Sequence, residues 1–141
     1  MPAKATEPRS LSAYVYAFAA TPKGPDLHHH NVFFARDPRA EFAPLAKGHM
    51  PDDPTLYICA QDRGSAATPP SLERFEIIMN GPPRAGAVSQ EIAQCQTKVF
   101  ETLAQFNLTF TPTLRPETLT TPEGFNSLFP ASQGSLYGRS P

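Results

Sequence analysis

Seventeen prolines in 141 residues decide where this chain can form regular structure. Each proline removes a backbone donor and pushes its predecessor away from helical geometry, so helices and strands have to fit between them. The gaps are residues 9–21, 26–37, 55–68, 71–81 and 84–111. An average chain of this length would carry about seven prolines. The excess marks a domain with much irregular connection.

Each gap has its own pattern. Residues 12–20 alternate Tyr14, Tyr16 and Phe18 with Ala13, Val15, Ala17 and Ala19, a period of two that predicts a strand with one aromatic face and one small-residue face. Residues 28–34, with Val32, Phe33 and Phe34, predict a second strand. The turn-forming run 21–25 between them suggests that the two are neighbours in a sheet. Asp37 followed by Pro38 reads as a helix start and Gly48 as a stop, which predicts a short helix over 38–47 that Pro44 kinks or ends early. Residues 55–61 and 74–80 predict two more strands, the second apolar on nearly both faces and therefore central.

The long gap predicts a helix over 89–106, with Ser89 as cap, Glu91 at its positive end and Asn107 as a left-handed stop. Its apolar stripe is Ile92, Cys95, Val99, Leu103 and Phe106. A short strand around Leu108 and Phe110 and a turn or two of helix over 122–128 follow. No proline falls inside the five predicted strands or the long helix. The expected fold is α+β: a mostly antiparallel or mixed sheet of about five strands, with one long and one short helix packed on it. An irregular segment over 1–9 precedes it.

Leu, Ile, Val and Phe supply 29 residues and the net charge is −1, enough apolar content and little enough self-repulsion for a packed core. The near-neutral balance lacks the basic footprint that phosphate backbones require, so nucleic acid is not an expected partner. No run approaches the ~20 apolar residues of a membrane span. Lys4 and Arg9 ahead of residues 11–20 imitate a signal segment, but Glu7, Ser12 and two tyrosines break its apolar core. Cys59 and Cys95 lack CxxC spacing and lie on apolar sides of predicted elements, which suggests buried free thiols in a reducing, cytoplasmic setting.

Among residues that could carry chemistry, His28, His29 and His30 stand out. Strand alternation would put His28 and His30 on one face and His29 on the other. No cysteine or carboxylate stands at metal spacing along the chain, so no metal is expected. Ring packing at the core edge or a cavity wall is the preferred reading. Tyr14, Tyr16, Phe18 and Phe33 read either as ordinary core or as the wall of a pocket for a long apolar ligand. Gln61-Asp62-Arg63 reads as a solvated turn with an Asp–Arg pair, or as a group orienting a polar substrate atom. There is no GxSxG, no Cys–His signature and no recognisable acid pair. The eight glycines form neither GxGxxG nor a Walker loop.

Several blocks in one order carry a resemblance. They are Leu27-His28-His29-His30-Asn31-Val32-Phe33-Phe34, Asp37-Pro38-Arg39-Ala40-Glu41-Phe42, the run from Pro51-Asp52-Asp53-Pro54 to Gln61-Asp62-Arg63, Glu73-Arg74-Phe75-Glu76-Ile77-Ile78-Met79-Asn80-Gly81-Pro82-Pro83, and Phe129-Pro130-Ala131-Ser132-Gln133-Gly134-Ser135-Leu136-Tyr137-Gly138. Together they resemble consecutive blocks of the phytoene desaturase family of flavoenzymes, and within it the bacterial 1-hydroxycarotenoid 3,4-desaturases. His28, Ala131 and Gln133 depart from the pattern.

The likeness runs from about residue 10 to 141 but spans only part of a family member. It implies a partial substrate-binding domain over 10–141, without the Rossmann portion whose glycine-rich turn holds FAD. The implied reaction removes two hydrogens from the C3–C4 bond of an acyclic hydroxylated carotenoid, with FAD as acceptor. The resemblance makes Tyr14, Tyr16, Phe18, His29, His30 and Phe33 candidate substrate-wall residues. It brings Tyr137 and Gly138 toward the flavin, and it implies peripheral contact with the inner membrane. It identifies no catalytic acid or base, and this section alone is expected to be inactive. A separate carotenoid- or lipid-binding module without redox activity is the alternative.

Overall fold

The computed structural model describes residues 7–138, so residues 1–6 of the expected N-terminal segment lie outside the described residues. Its strands are β1 (Ser12–Lys23), β2 (His30–Phe33), β3 (Leu56–Ala60), β4 (Glu73–Gly81), β5 (Thr109–Thr111) and β6 (Leu119–Thr120). The helices are α1 (Pro38–Ala46), α2 (Glu91–Gln105) and α3 (Pro122–Leu128), and single 3-10 turns occupy Gln61–Arg63 and Pro116–Thr118. The strands form one antiparallel sheet in the order β2-β3-β4-β1-β5, with β6 also pairing to β1. The α+β expectation holds.

The alternation in β1 sets the two faces. Tyr14 lies opposite Met79, Tyr16 opposite Ile77 and Phe18 opposite Phe75, and β3 continues the layer with Leu56 and Ile58. Residues directly opposed across a ladder share a face. These side chains meet Cys95, Val99 and Leu103 of α2 and form the core. β4 is central as expected, lying between β3 and β1.

Four local expectations change. The connection 21–25 does not make β1 and β2 neighbours: β3 and β4 lie between them, because β1 spends its two edges on β4 and on β5 with β6. Pro22 stands inside β1, opposite Phe110. The pairing to β4 ends at Ala20–Glu73, so one edge of the backbone is free there and a residue without N–H is tolerated. β2 begins only at His30, because the Asn31 side chain accepts from the His28 N–H at 2.8 Å and donates to the His28 carbonyl at 2.8 Å, closing a turn.

The fourth change is the start of α2. Ser89 does not cap it; Gln90 precedes the helix at φ 63 without a side-chain cap, and the Glu91 N–H donates to the Val88 carbonyl at 3.2 Å. Ile92 and Phe106 are 44% and 38% exposed, so the buried stripe of α2 is narrower than expected and also takes in Glu91 and Thr102. Asn107 does stop the helix at φ 55. In α1, Asp37 caps as expected, accepting from the Arg39 and Ala40 N–H groups, and the helix ends two residues after Pro44.

Candidate functional site

The aromatic face is closed at Tyr14 and Tyr16 and half-buried at Phe18 and Phe33. Tyr14 and Tyr16 are each 1% exposed. Phe18 stacks on Phe75 with centroids 5.7 Å apart and meets the edge of Phe110 at 5.1 Å. Phe33, on the same face through its pairing with Leu56, packs edge-on to Phe106 at 4.8 Å. Phe18 also borders an open cavity of about 350 Å³ with Ala19, Pro112, Thr113, Arg115 and Thr118. The structure thus brings four of the six wall candidates to one face, beneath α2.

The other face is half-open. Register places His30, Cys59, Glu76 and Ala17 in one row, and Val32, Tyr57, Ile78 and Val15 in the next. Val32 is 47% exposed, and Tyr57, Ile78 and Val15 are half-buried. α1 meets this face at Asn80, whose side-chain amide donates to Glu41 at 3.3 Å.

The histidines do not divide as alternation suggests. His29 precedes β2 and is free of its pleat, so its ring lies beside His30, with centroids 4.1 Å apart and planes at 69°. His29 Nδ1 bonds the Ala60 carbonyl at 3.0 Å, and His30 Nδ1 bonds the Tyr57 hydroxyl at 2.7 Å. One donor atom each from His29, His30 and Cys59 lie within 4.8 Å of one another. Spacing along the chain hid the cysteine; the β2–β3 register supplies it.

A buried polar network escaped the sequence reading. The Tyr14 hydroxyl donates to Glu91 Oε1 at 2.6 Å and accepts from an Arg84 guanidinium N–H at 2.6 Å, while Arg84 also pairs with Glu91. Burial pushes the Tyr14 phenol up to about 12, with Arg84 opposing the shift. Burial also raises the Tyr16 phenol, whose hydroxyl has no hydrogen-bond partner among the described residues, and pushes the Cys95 thiol up to about 12. Gly81 belongs to this arrangement, because a Cβ there would lie 2.8 Å from the Tyr14 ring. The only signal in the sequence was an acid in the first turn of the long helix.

Arg63 does not pair with Asp62. It donates to Glu73 at 2.7 and 2.9 Å and to Asp26 at 3.2 Å, whereas Asp62 takes Arg74 at 2.5 Å. Tyr137 is 83% exposed, on a turn tied back to the start of the domain: its N–H donates to the Ser10 hydroxyl at 2.9 Å, and the Gly138 carbonyl accepts from the Ser10 N–H at 2.9 Å. Both cysteines are free and buried. Among the described residues no helix is long and apolar enough to cross a membrane.

No family model matches the chain. It is similar to the hydroxyneurosporene desaturase of Cereibacter sphaeroides, at 57% identity over 141 residues, which is 100% of this chain and 28% of that protein. The hydroxyneurosporene desaturase of Rhodobacter capsulatus is 55% identical over 132 residues, 94% of this chain and 27% of the relative. A 4,4'-diapophytoene desaturase of Staphylococcus haemolyticus is 30% identical over 146 aligned positions, covering 94% of this chain and 28% of the relative. The chain spans little more than a quarter of the length of these relatives.

Proposed function

Because the chain belongs to the phytoene desaturase family of carotenoid desaturases, we propose that it forms part of the substrate domain of a FAD-dependent enzyme. That enzyme removes two hydrogens from the C3–C4 bond of an acyclic hydroxylated carotenoid. The observation that carries this reading is the 57% identity maintained over all 141 residues to a hydroxyneurosporene desaturase.

An apolar ligand gains free energy only where uncovered apolar surface meets it. The half-open face offers such surface in Val15, Val32, Tyr57 and Ile78, and we place the polyene there. In this reading His30, with His29 beside it, stays at the margin of the substrate face. Tyr14, Tyr16, Phe18 and Phe33 support the face from behind, and close packing in that layer keeps the sheet from yielding to a stiff ligand. A substrate this insoluble has to be drawn from a lipid phase, so peripheral membrane contact is part of the same proposal.

FAD, when bound, supplies the acceptor for the two hydrogens. The described residues hold no glycine-rich strand-to-helix turn for its diphosphate, so they do not make a dinucleotide site by themselves. Their fit to the group is limited to the exposed turn at Tyr137 and Gly138, where open space lies around the glycine at φ 76. We assign that turn as the contact from this section.

The test is a chimera in which this chain replaces the matching stretch of the Cereibacter sphaeroides relative. The expected result is a flavin-loaded protein that desaturates a hydroxylated carotenoid, with Ile78→Asp weakening carotenoid binding about tenfold by placing a charge on the apolar face. A folded, flavin-loaded chimera without activity would overturn the family function. Full carotenoid affinity in the Ile78→Asp chimera would overturn the placement.

A further inference from the structure

We propose that His29, His30 and Cys59 form a transition-metal site of the zinc type on the half-open face of the sheet. The inference is independent of the desaturase reading and rests on how β2 and β3 pair.

His30 and Cys59 are directly opposed. The Ala60 N–H donates to the His29 carbonyl at 2.8 Å, the bond that flanks this pair. In an antiparallel ladder that pattern makes His30 and Cys59 a non-hydrogen-bonded pair, whose Cα atoms are about 4.5 Å apart and whose side chains approach most closely. His29, one residue before the strand, adds the third group. The three donor atoms lie within 4.8 Å of one another, against separations of about 3.5 Å that tetrahedral Zn–N and Zn–S bonds impose. The exposed His30 ring is the one with room to close that difference.

The second layer suits a metal as well. A backbone carbonyl only accepts, so the 3.0 Å bond between His29 Nδ1 and the Ala60 carbonyl fixes the proton on Nδ1 and leaves Nε2 with a free lone pair. His30 Nδ1 is likewise engaged, by the Tyr57 hydroxyl at 2.7 Å. Metal-bound histidines use this arrangement to set tautomer and orientation. Gly64 helps to hold His29: a Cβ at that position would stand 2.9 Å from its ring. The Cys59 sulfur donates weakly to Gln61 Oε1 at 3.8 Å and lies beside the Tyr57 hydroxyl, and neither contact ties it to a stronger acceptor. Glu76 stands opposite Cys59 on β4 and adds negative charge to the same face.

Two imidazoles and one thiolate form a borderline-soft donor set that favours Zn²⁺ or Co²⁺ over Mg²⁺ and Ca²⁺. Three protein ligands leave one tetrahedral position for water. The site is therefore not coordinatively closed.

The experiment is titration of the metal-free 141-residue chain with Zn²⁺ by calorimetry and with Co²⁺ by absorbance. One metal per chain is expected, with a thiolate-to-cobalt charge-transfer band. Cys59→Ser should abolish the band and His30→Gln the binding. Tyr57→Phe should weaken affinity about tenfold or more through the outer layer. His30 is exposed, so His30→Gln is expected to keep its thermal melt and separates loss of binding from loss of fold. No stoichiometric binding, or Co²⁺ bound with the same spectrum after Cys59→Ser, would overturn the site.

Discussion

The Tyr14 hydroxyl donates to the buried carboxylate of Glu91 at 2.6 Å, which ties the middle of the sheet to the first turn of α2. Arg84, from the connection between β4 and α2, completes the contact by donating to the same hydroxyl at 2.6 Å. Glu91 is 4% exposed, and a guanidinium and a phenol both face its carboxylate. The helix that closes the aromatic face is thereby registered on β1 by a polar lock as well as by apolar packing.

Removing the acid should cost more than removing the phenol. Glu91→Ala leaves the Arg84 guanidinium, 19% exposed, without its carboxylate, a change expected to cost about 3 kcal/mol. Tyr14→Phe loses two charge-assisted hydrogen bonds, one to Glu91 and one from Arg84, but keeps the ring and the ion pair, for about 2 kcal/mol. Urea unfolding of both variants checks the order. A smaller loss for Glu91→Ala than for Tyr14→Phe would show that the ion pair is not what holds α2.

Alkaline unfolding should follow the two buried phenols. Burial raises Tyr14 from about 10 to about 12 and raises Tyr16 as well. A folded-state pKa above the unfolded value contributes stability that is complete below about pH 10 and is lost as pH climbs through the folded value. Tyrosinate absorbance should therefore show two phenols that ionise only together with loss of the far-UV signal. If all four tyrosines titrate before the circular dichroism changes, the closed aromatic face is refuted.

What the sequence showed and what it hid divide along contact distance. α3 is read at 122–128 and found at Pro122–Leu128, and the strand alternation of Tyr14, Tyr16 and Phe18 survives intact, because both signals are local. The order of strands was hidden. Short connection 21–25 favours neighbours, yet the edges of β1 are taken by β4, β5 and β6, and that competition involves residues far along the chain. β6, two residues long, carries no period at all. The closeness of Cys59 to His30 was hidden for the same reason, since it depends on the register of β2 against β3 and not on spacing.

Truncation in the centre of the sheet should separate core from surface. Ile77 is 1% exposed on the central strand, between Ile58 and Tyr16. Ile77→Ala should cost about 2–5 kcal/mol through lost burial and a residual cavity. Phe34 is 69% exposed just beyond β2, and Phe34→Ala should stay within about 0.5 kcal/mol. Equal losses at the two positions in urea titrations would mean that the core is misassigned.

Acid should release two surface clasps. Hydrogen bonds from the Arg74 side chain and then its backbone N–H hold the Asp62 carboxyl below the usual carboxylate range. At Asp53 the Arg36 backbone N–H comes first and its side chain adds to it. A depressed folded-state pKa gives stability that is present above the unfolded value of about 3.9 and lost as pH falls through the folded one. Asp62→Asn should therefore lower the urea midpoint at pH 7, with the gap to the parent chain closing below about pH 4. A gap that stays constant down to pH 2 would place the contribution of Asp62 in packing and not in its charge. The Asp62–Arg74 clasp joins the turn after β3 to the start of β4, so losing it should loosen the strand pair that carries Cys59.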